Sequence, residues 1–111
     1  MKKLVHRWFD VWRKGNFQDI PVTDDFKHTS PYGTIEGKKE YLEVVEANRE
    51  KFLGHTFEIH DEIYAENKGC IRYTARKDDF FLEVTEWHYL GDGGITEIVS
   101  YYNIEERRID L

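Results

Sequence analysis

The order of apolar and polar positions divides the chain into a helical first part and a strand-rich second part. The segment Lys3–Lys14 repeats apolar residues every four positions, as in the series Leu4, Trp8 and Trp12, which predicts one amphipathic helix. A second segment, Gly37–Phe52, predicts another long helix with an apolar side. Between the two helices, Pro21 and the pair Asp24–Asp25 predict a loop or a very short helix.

Alternation of apolar and polar residues dominates the second half of the chain. The predicted strands are Phe26–Ser30, His55–Ala65, Cys70–Lys77, Phe80–Leu90 and Ile95–Ile104. Turn residues such as Asp78–Asp79 and Gly91–Gly94 join the last four strands as hairpins. This order predicts one α+β domain over residues 1–111, a cone-shaped curved antiparallel sheet whose concave face is closed by the N-terminal helices.

Composition adds a supply of aromatic rings to this picture. Apolar residues make up 40% of the 111 positions, and aromatic residues alone make up 15%. Large rings can wall a cavity and still bury much apolar area. We therefore expect a closed, mostly apolar pocket inside the cone.

Charge and cysteine content exclude several classes of function. The net charge is −6, and the basic residues are scattered in short pairs such as Lys38–Lys39 and Arg107–Arg108, which disfavours nucleic-acid binding. No apolar run approaches the roughly 20 residues of a membrane span. Cys70 is the only cysteine, so neither a disulfide nor a cysteine zinc site is predicted. We expect a cytoplasmic protein without a cofactor.

Short motifs spread over nearly the whole chain add a family resemblance. They are Arg13–Phe17, Thr23–Phe26, Ser30–Gly33, Ile35–Lys38 and Gly93–Tyr102. In order and spacing they resemble the nuclear transport factor 2-like superfamily, in particular its SnoaL-like branch, which is related to polyketide cyclases and ketosteroid isomerases. The resemblance implies the cone fold, a small hydrophobic ligand and homodimers that pair through the outer faces of their sheets.

The resemblance also allows the ketosteroid isomerase motif to be carried over position by position. The catalytic carboxylate of that motif falls at Ser30, its oxyanion-donating tyrosine near Trp8, and its protonated acid near Glu86. Only Glu86 matches in residue type, and a serine does not accept a proton unaided at neutral pH. Isomerisation by that mechanism is therefore disfavoured.

Strand parity predicts which side chains share the interior, because alternate residues of a strand lie on one face. If Glu86 faces the cavity, so do Val84 and His88, and Ser30 shares its face with His28. We predict Glu86, His28 and His88 as catalytic residues. The predicted ligand-binding residues are Trp8, Ser30, Val84, Ile98, Ser100 and Tyr102.

Glu86 is the strongest candidate for a catalytic acid or base. Burial in an apolar cavity should raise its pKa, which suits a hydrogen-bonding acid or, beside a histidine, a poised base. A buried structural ion pair with His88, His28 or an arginine is an equally good interpretation. Both histidines suit acid–base work near neutral pH, and each could instead be a hydrogen-bonded wall residue. Their spacing matches no recognised metal motif, so no metal is predicted.

Three functions are compatible with this sequence. The first is an isomerase, cyclase or dehydratase that performs acid–base chemistry on a small hydrophobic carbonyl compound. The second is a non-catalytic binder of a hydrophobic metabolite. The third is a dimeric interaction module, suggested by the outward-facing residues Trp87, Tyr89 and Tyr101.

Overall fold

A computed structural model describes residues 2–103 of the chain, so Ile104 at the end of the last predicted strand lies outside the described residues. The helices are α1 (Lys2–Lys14), a 3₁₀ turn (Phe17–Asp19), α2 (Lys38–Ala47) and α3 (Arg49–Phe52). The strands are β1 (Val22–Ser30), β2 (Gly33–Glu36), β3 (Thr56–Ala65), β4 (Lys68–Lys77), β5 (Phe80–Gly91) and β6 (Gly94–Tyr101). Among these residues, no helix is long and apolar enough to cross a bilayer.

The strands form one curved six-stranded sheet in the order β2-β1-β6-β5-β4-β3. The predicted antiparallel meander of β3 to β6 is confirmed. The prediction of a wholly antiparallel sheet is wrong in one place, because β1 runs parallel to β6. The long connection through β2, α2 and the meander returns the chain beside β1 in the same direction, and such distant pairings leave no local sequence pattern.

Helix α1 lies on the concave face of the sheet, as the apolar pattern predicts. Its residues Val5, Trp8 and Phe9 belong to the hydrophobic core together with inward-facing residues of β4 to β6. At the C-terminal end of α1, Gly15 has a φ of +80°, and a Cβ there would lie 2.5 Å from Leu53. The predicted α+β cone is confirmed.

Two local predictions are wrong, the uninterrupted helix Gly37–Phe52 and the loop at Asp24–Asp25. The predicted helix Gly37–Phe52 is interrupted at Asn48, whose side-chain Nδ2 donates to the carbonyl oxygen of Val44 at 2.8 Å. Such a side-chain bond competes with the helical bonds of the backbone. The predicted loop at Asp24–Asp25 belongs to β1, where the pairing with β6 shifts register between Val22 and Lys27. This irregularity interrupts the alternation by which a strand is recognised in sequence.

Strand β2 was not predicted from the sequence. It pairs with the end of β1 around the turn at Pro31 and Tyr32, with Thr29 opposite Thr34. Its four residues are mostly exposed and too few to show a pattern. It adds an edge strand beside β1 and pairs with the part of β1 that carries His28 and Ser30.

Candidate functional site

A cluster of polar side chains lies in the interior of the cone around the carboxylate of Glu86. Glu86 is 3% exposed and His88 is 0% exposed. Oε1 of Glu86 lies 2.7 Å from Nε2 of His88. Oε2 accepts hydrogen bonds from the Ser100 hydroxyl at 2.7 Å and from the Tyr73 hydroxyl at 3.0 Å. Both carboxylate oxygens are therefore satisfied by direct partners.

The register of the sheet brings these residues together. Glu86 and His88 alternate with exposed or half-buried residues along β5, which places both on the concave face. Glu86 lies opposite Ser100 on β6, and Tyr73 lies diagonally from Glu86 on β4. The predicted inward parity of Glu86, His88 and Ser100 is thus present in the structure.

His28 lies on the same concave face, on β1, which is the neighbour of β6 in the sheet. Ile98 of β6 is the cross-strand partner of both His28 on β1 and His88 on β5, so the two imidazoles flank its buried side chain. The His28 ring packs against the Tyr41 ring with centroids 5.0 Å apart. His28 stands close enough to sense the charge of Glu86 without contacting it directly.

Aromatic rings occupy the space beside the cluster. Trp8 of α1 meets the His88 ring edge-on, with centroids 6.0 Å apart, and Phe9 lies 6.1 Å from it. Val84 and Ile98, two of the predicted ligand-binding residues, are buried apolar wall residues. This close packing gains dispersion contacts that an empty cavity would forfeit.

The predicted closed, mostly apolar pocket beside Glu86 stays a prediction. Two shallow depressions in residues 2–103 lie at the surface around β1 and β2. One is lined by charged residues such as Lys27 and Glu97, and the other by residues such as Glu40. None of the predicted site residues lines either depression.

Ser30 and Tyr102 form a separate pair at the edge of the cluster. Both are half-buried, and the Ser30 hydroxyl also accepts a hydrogen bond from the backbone N–H of Tyr32 at 3.2 Å. Burial raises the pKa of Tyr102, and a hydrogen bond from Ser30 opposes that rise. The structure thus holds these two predicted ligand-binding residues together, but apart from the direct contacts of Glu86.

The expected rise in the pKa of Glu86 is wrong. Burial by itself raises that pKa, but the hydrogen bond and charge of His88, the charge of His28 and the hydrogen bond of Ser100 together hold it below 4.5. His88 lies on the same strand as Glu86, and the sequence analysis names it as a possible ion-pair partner, whereas Ser100 comes from β6 and His28 from β1. Glu86 is therefore an ionised carboxylate inside an apolar core.

Two tyrosines belong to this cluster that sequence analysis did not select. Tyr73 donates to Glu86, and Tyr41 packs between Trp8, Phe26 and His28. Burial and the charge of Glu86 raise the pKa of both hydroxyls well above 10, so they remain protonated donors. Along β4 Tyr73 has the opposite parity to Arg72 and Arg76, which are exposed, so strand parity was the signal available in the sequence.

The described part of the chain shows no arrangement of three or more His, Cys, Asp or Glu side chains that could hold a metal ion. Glu86 and His88 bond to each other, and His28 is separated from His88 by Ile98. What the cluster can do chemically is accept, hold and donate protons within an apolar environment.

The pKa of His28 should give the protein a measurable pH dependence. Burial lowers this pKa below 6.5, the charge of Glu86 opposes the shift, and His88 adds to it. The unfolded chain therefore binds a proton at higher pH than the folded protein, and the free energy of unfolding should fall as the pH decreases from 6.5. In His28→Phe, which retains a ring against Tyr41, this part of the decrease should disappear.

Urea unfolding at a series of pH values tests this expectation. The further loss of stability below pH 4.5, which comes from the lowered pKa of Glu86, should be smaller in the variant but still present, because His28→Phe removes one charge that lowers this pKa and leaves His88 and Ser100 in place. A His28→Phe protein that retains the wild-type pH dependence above pH 4.5 would contradict the assignment.

The fold is similar to those of several solved structures. An NTF2-like protein of unknown function from Cytophaga hutchinsonii has a TM-score of 0.79 at 19% identity, over 92% of this chain and 88% of that chain. A proposed ketosteroid isomerase from Kribbella flavida has a TM-score of 0.78 at 12% identity, over 97% and 81%. A proposed polyketide cyclase from Xanthomonas campestris has a TM-score of 0.75 at 15% identity, over 95% and 91%. At these identities the likeness establishes the fold and not an activity.

Sequence comparison gives the family. Comparison with curated proteins yields no match. The family model of the SnoaL-like domain matches residues 5–98, which include most of α1, the whole of β5 and most of β6. The resemblance seen in the sequence motifs and the similarity of the fold agree with this match. The chain therefore belongs to the SnoaL-like domain family.

Proposed function

We propose that this protein binds a small hydrophobic carbonyl compound inside the cone and performs acid–base chemistry on it, as an isomerase, cyclase or dehydratase. The observation that carries the proposal is the buried carboxyl group of Glu86, which is hydrogen-bonded to His88, Ser100 and Tyr73. Burying a charge is costly, and apolar residues of similar volume often stabilise a core as well or better. Clusters of this kind occur preferentially at functional sites.

The cluster contains the groups that such a reaction needs. A base must take a proton from the carbon next to the carbonyl group, and a donor must stabilise the enolate oxygen that forms. Glu86 with His28 or His88 provides the base and the proton shuttle in this proposal. The Tyr41 hydroxyl stays protonated and is a suitable donor to the enolate, whereas the single hydroxyl proton of Tyr73 is already donated to Glu86. Returning the proton to a different carbon completes an isomerisation.

The residues around the cluster would form the ligand-binding surface. Val84 and Ile98 provide the apolar wall, Trp8 provides a ring from α1, and Ser100 provides a hydroxyl beside Glu86. Ser30 and Tyr102 extend the polar lining toward the edge of the sheet, where both are half-buried. The names of similar structures, a proposed ketosteroid isomerase and a proposed polyketide cyclase, support a small carbonyl compound as ligand.

A non-catalytic binder is the second candidate. Ser30 occupies the position of the isomerase carboxylate in the motif that this chain resembles, and the rings of Trp8 and Phe9 pack against His88. Both observations favour a protein that holds a hydrophobic metabolite without transforming it. The two candidates share the ligand class and differ in whether the cluster moves a proton.

We also propose that two copies pair through the outer face of the sheet. Cross-strand partners there form an apolar row from β3 to β6, the outer row, which consists of Ile63, Cys70, Trp87 and Val99. Tyr101, which is 60% exposed, lies beside this row on β6. A contiguous exposed apolar face of this kind is typical of a contact surface.

Exchange of carbon-bound protons tests the catalytic proposal. The wild-type protein should accelerate deuterium incorporation next to the carbonyl group of small cyclic ketones such as 2-tetralone, followed by proton NMR in D₂O. Glu86→Gln should slow the exchange by about 100-fold, because it removes the charge that supports the base. Glu83→Gln, at an exposed position of the same strand, is the matched control and should retain the wild-type rate.

Equal rates in wild type and Glu86→Gln would refute the role of Glu86, whereas tight binding without exchange would favour the non-catalytic binder.

The mass of the protein in solution tests the dimer. Analytical ultracentrifugation of the wild type should give twice the chain mass of 13.4 kDa. Tyr101→Glu should weaken association by about tenfold or more, since it places a charge beside the outer row. Val44→Glu, at an exposed apolar position of α2, should leave the dimer intact. A monomeric wild type, or equal effects of the two variants, would contradict pairing through this face.

A further inference from the structure

Two buried ring nitrogens have no hydrogen-bond partner within residues 2–103, Nε1 of Trp12 and Nδ1 of His88, and the second lies beside Glu86. His88 is completely buried, and its Nε2 lies 2.7 Å from Oε1 of Glu86. Its other ring nitrogen, Nδ1, makes no hydrogen bond within the described part of the chain. Buried polar atoms are almost always paired in folded proteins, so an unpaired one requires an explanation.

The partners of Glu86 determine where the proton of His88 lies. Oε2 of Glu86 already accepts hydrogen bonds from the hydroxyls of Ser100 and Tyr73, and an ionised carboxylate can only accept. The proton between Glu86 and His88 therefore belongs to Nε2. In the neutral imidazole, Nδ1 then carries a lone pair and no proton. A proton on Nδ1 as well would make that nitrogen a donor without a partner in residues 2–103.

We propose that Nδ1 of His88 is the ligand-facing base of the site, that it accepts a hydrogen bond from a hydroxyl or enol O–H of a planar ligand, and that Glu86 is a positioning residue. This inference rests on the function proposed above and specifies its substrate class. A ketone or ether oxygen is an acceptor and cannot pair with an acceptor nitrogen. The ligand must therefore present a donor to His88.

The surroundings of His88 favour a flat ligand. A row of rings leads from the half-buried His28 to the His88 ring: the centroids of His28 and Tyr41 are 5.0 Å apart, those of Tyr41 and Trp8 are 6.2 Å apart, and those of Trp8 and His88 are 6.0 Å apart. A planar compound that displaces the Trp8 ring from His88 would keep ring contacts with Tyr41. Phe9 is held on its other side by Phe57 and Tyr73, so Trp8 is the ring that moves in this proposal.

This assignment gives Glu86 and His88 different tasks. Both carboxylate oxygens of Glu86 already have hydrogen-bond partners in the protein. Glu86 therefore acts on the ligand only through the imidazole that it orients. In the proton-transfer step, the O–H or C–H bond of the ligand breaks, its electron pair stays on the ligand as an enolate, and the proton moves to Nδ1. The imidazolium formed is stabilised by the carboxylate and later returns the proton to the product.

The variant His88→Gln tests the roles of the two ring nitrogens of His88 separately. The glutamine amide nitrogen can still donate to Glu86 as Nε2 does, but it leaves no acceptor at the place of Nδ1. The probes are 2-naphthol, which has a donor hydroxyl, and 2-methoxynaphthalene, which has only an acceptor oxygen. The wild type should bind 2-naphthol about tenfold more tightly than the ether, and this ratio should fall to about one in His88→Gln. Tryptophan fluorescence measures both affinities, and near-ultraviolet circular dichroism checks the fold of the variant.

The outcomes distinguish the inference from the proposed function. If both probes bind the wild type and their affinity ratio is unchanged in His88→Gln, the assignment of Nδ1 is overturned while ligand binding stands. If neither probe binds the wild type, the proposed ligand site fails and the inference fails with it. Nitrogen-15 NMR of histidine-labelled wild type is independent of any variant: a bare Nδ1 that shifts on addition of 2-naphthol supports the inference, and a protonated Nδ1 at neutral pH overturns it.

Discussion

The hydrogen bonds to the carboxylate of Glu86 are the interactions on which the interior of this protein depends. A lone carboxylate in an apolar core would take up a proton, because desolvation penalises its charged form. Here His88, Ser100 and Tyr73 all bond to it, and the net effect is a pKa below the ordinary value. The rest of the cluster follows from that charge, which fixes the proton of His88 on Nε2 and keeps the neighbouring tyrosine hydroxyls protonated.

The fold provides these bonds through strand register rather than through adjacent residues in sequence. Three neighbouring strands of the meander each contribute side chains to the concave face, and α1 covers them with aromatic rings. The parallel pairing of β1 with β6 then brings His28 to the same face, on the far side of Ile98 from His88. A shift of one residue in any of these pairings would turn the polar side chains outward, so the register that forms the sheet also forms the site.

Much of this arrangement could be predicted from the sequence, because strand parity depends only on local alternation. Parity placed Glu86, His88 and Ser100 on one face, and the structure agrees. The sequence leaves the direction of the Glu86 pKa open between burial and an ion pair, because parity places His88 beside Glu86 on β5 but does not show whether the two side chains bond, and Ser100 joins from β6. The same parity argument places Tyr73 of β4 on the concave face, diagonally from Glu86. The expected cavity was inferred from aromatic content, and in residues 2–103 the rings pack against the cluster itself.

The ionisation of Glu86 inside the core is the central claim of this account. Carbon-13 NMR of protein labelled at the side-chain carboxyl carbons of glutamate measures it directly, with Glu86→Gln identifying the resonance. The account predicts a carboxylate that is ionised at neutral pH and titrates below 4.5. A Glu86 that is protonated at neutral pH would contradict it, because a protonated carboxyl group could not stabilise an imidazolium beside it.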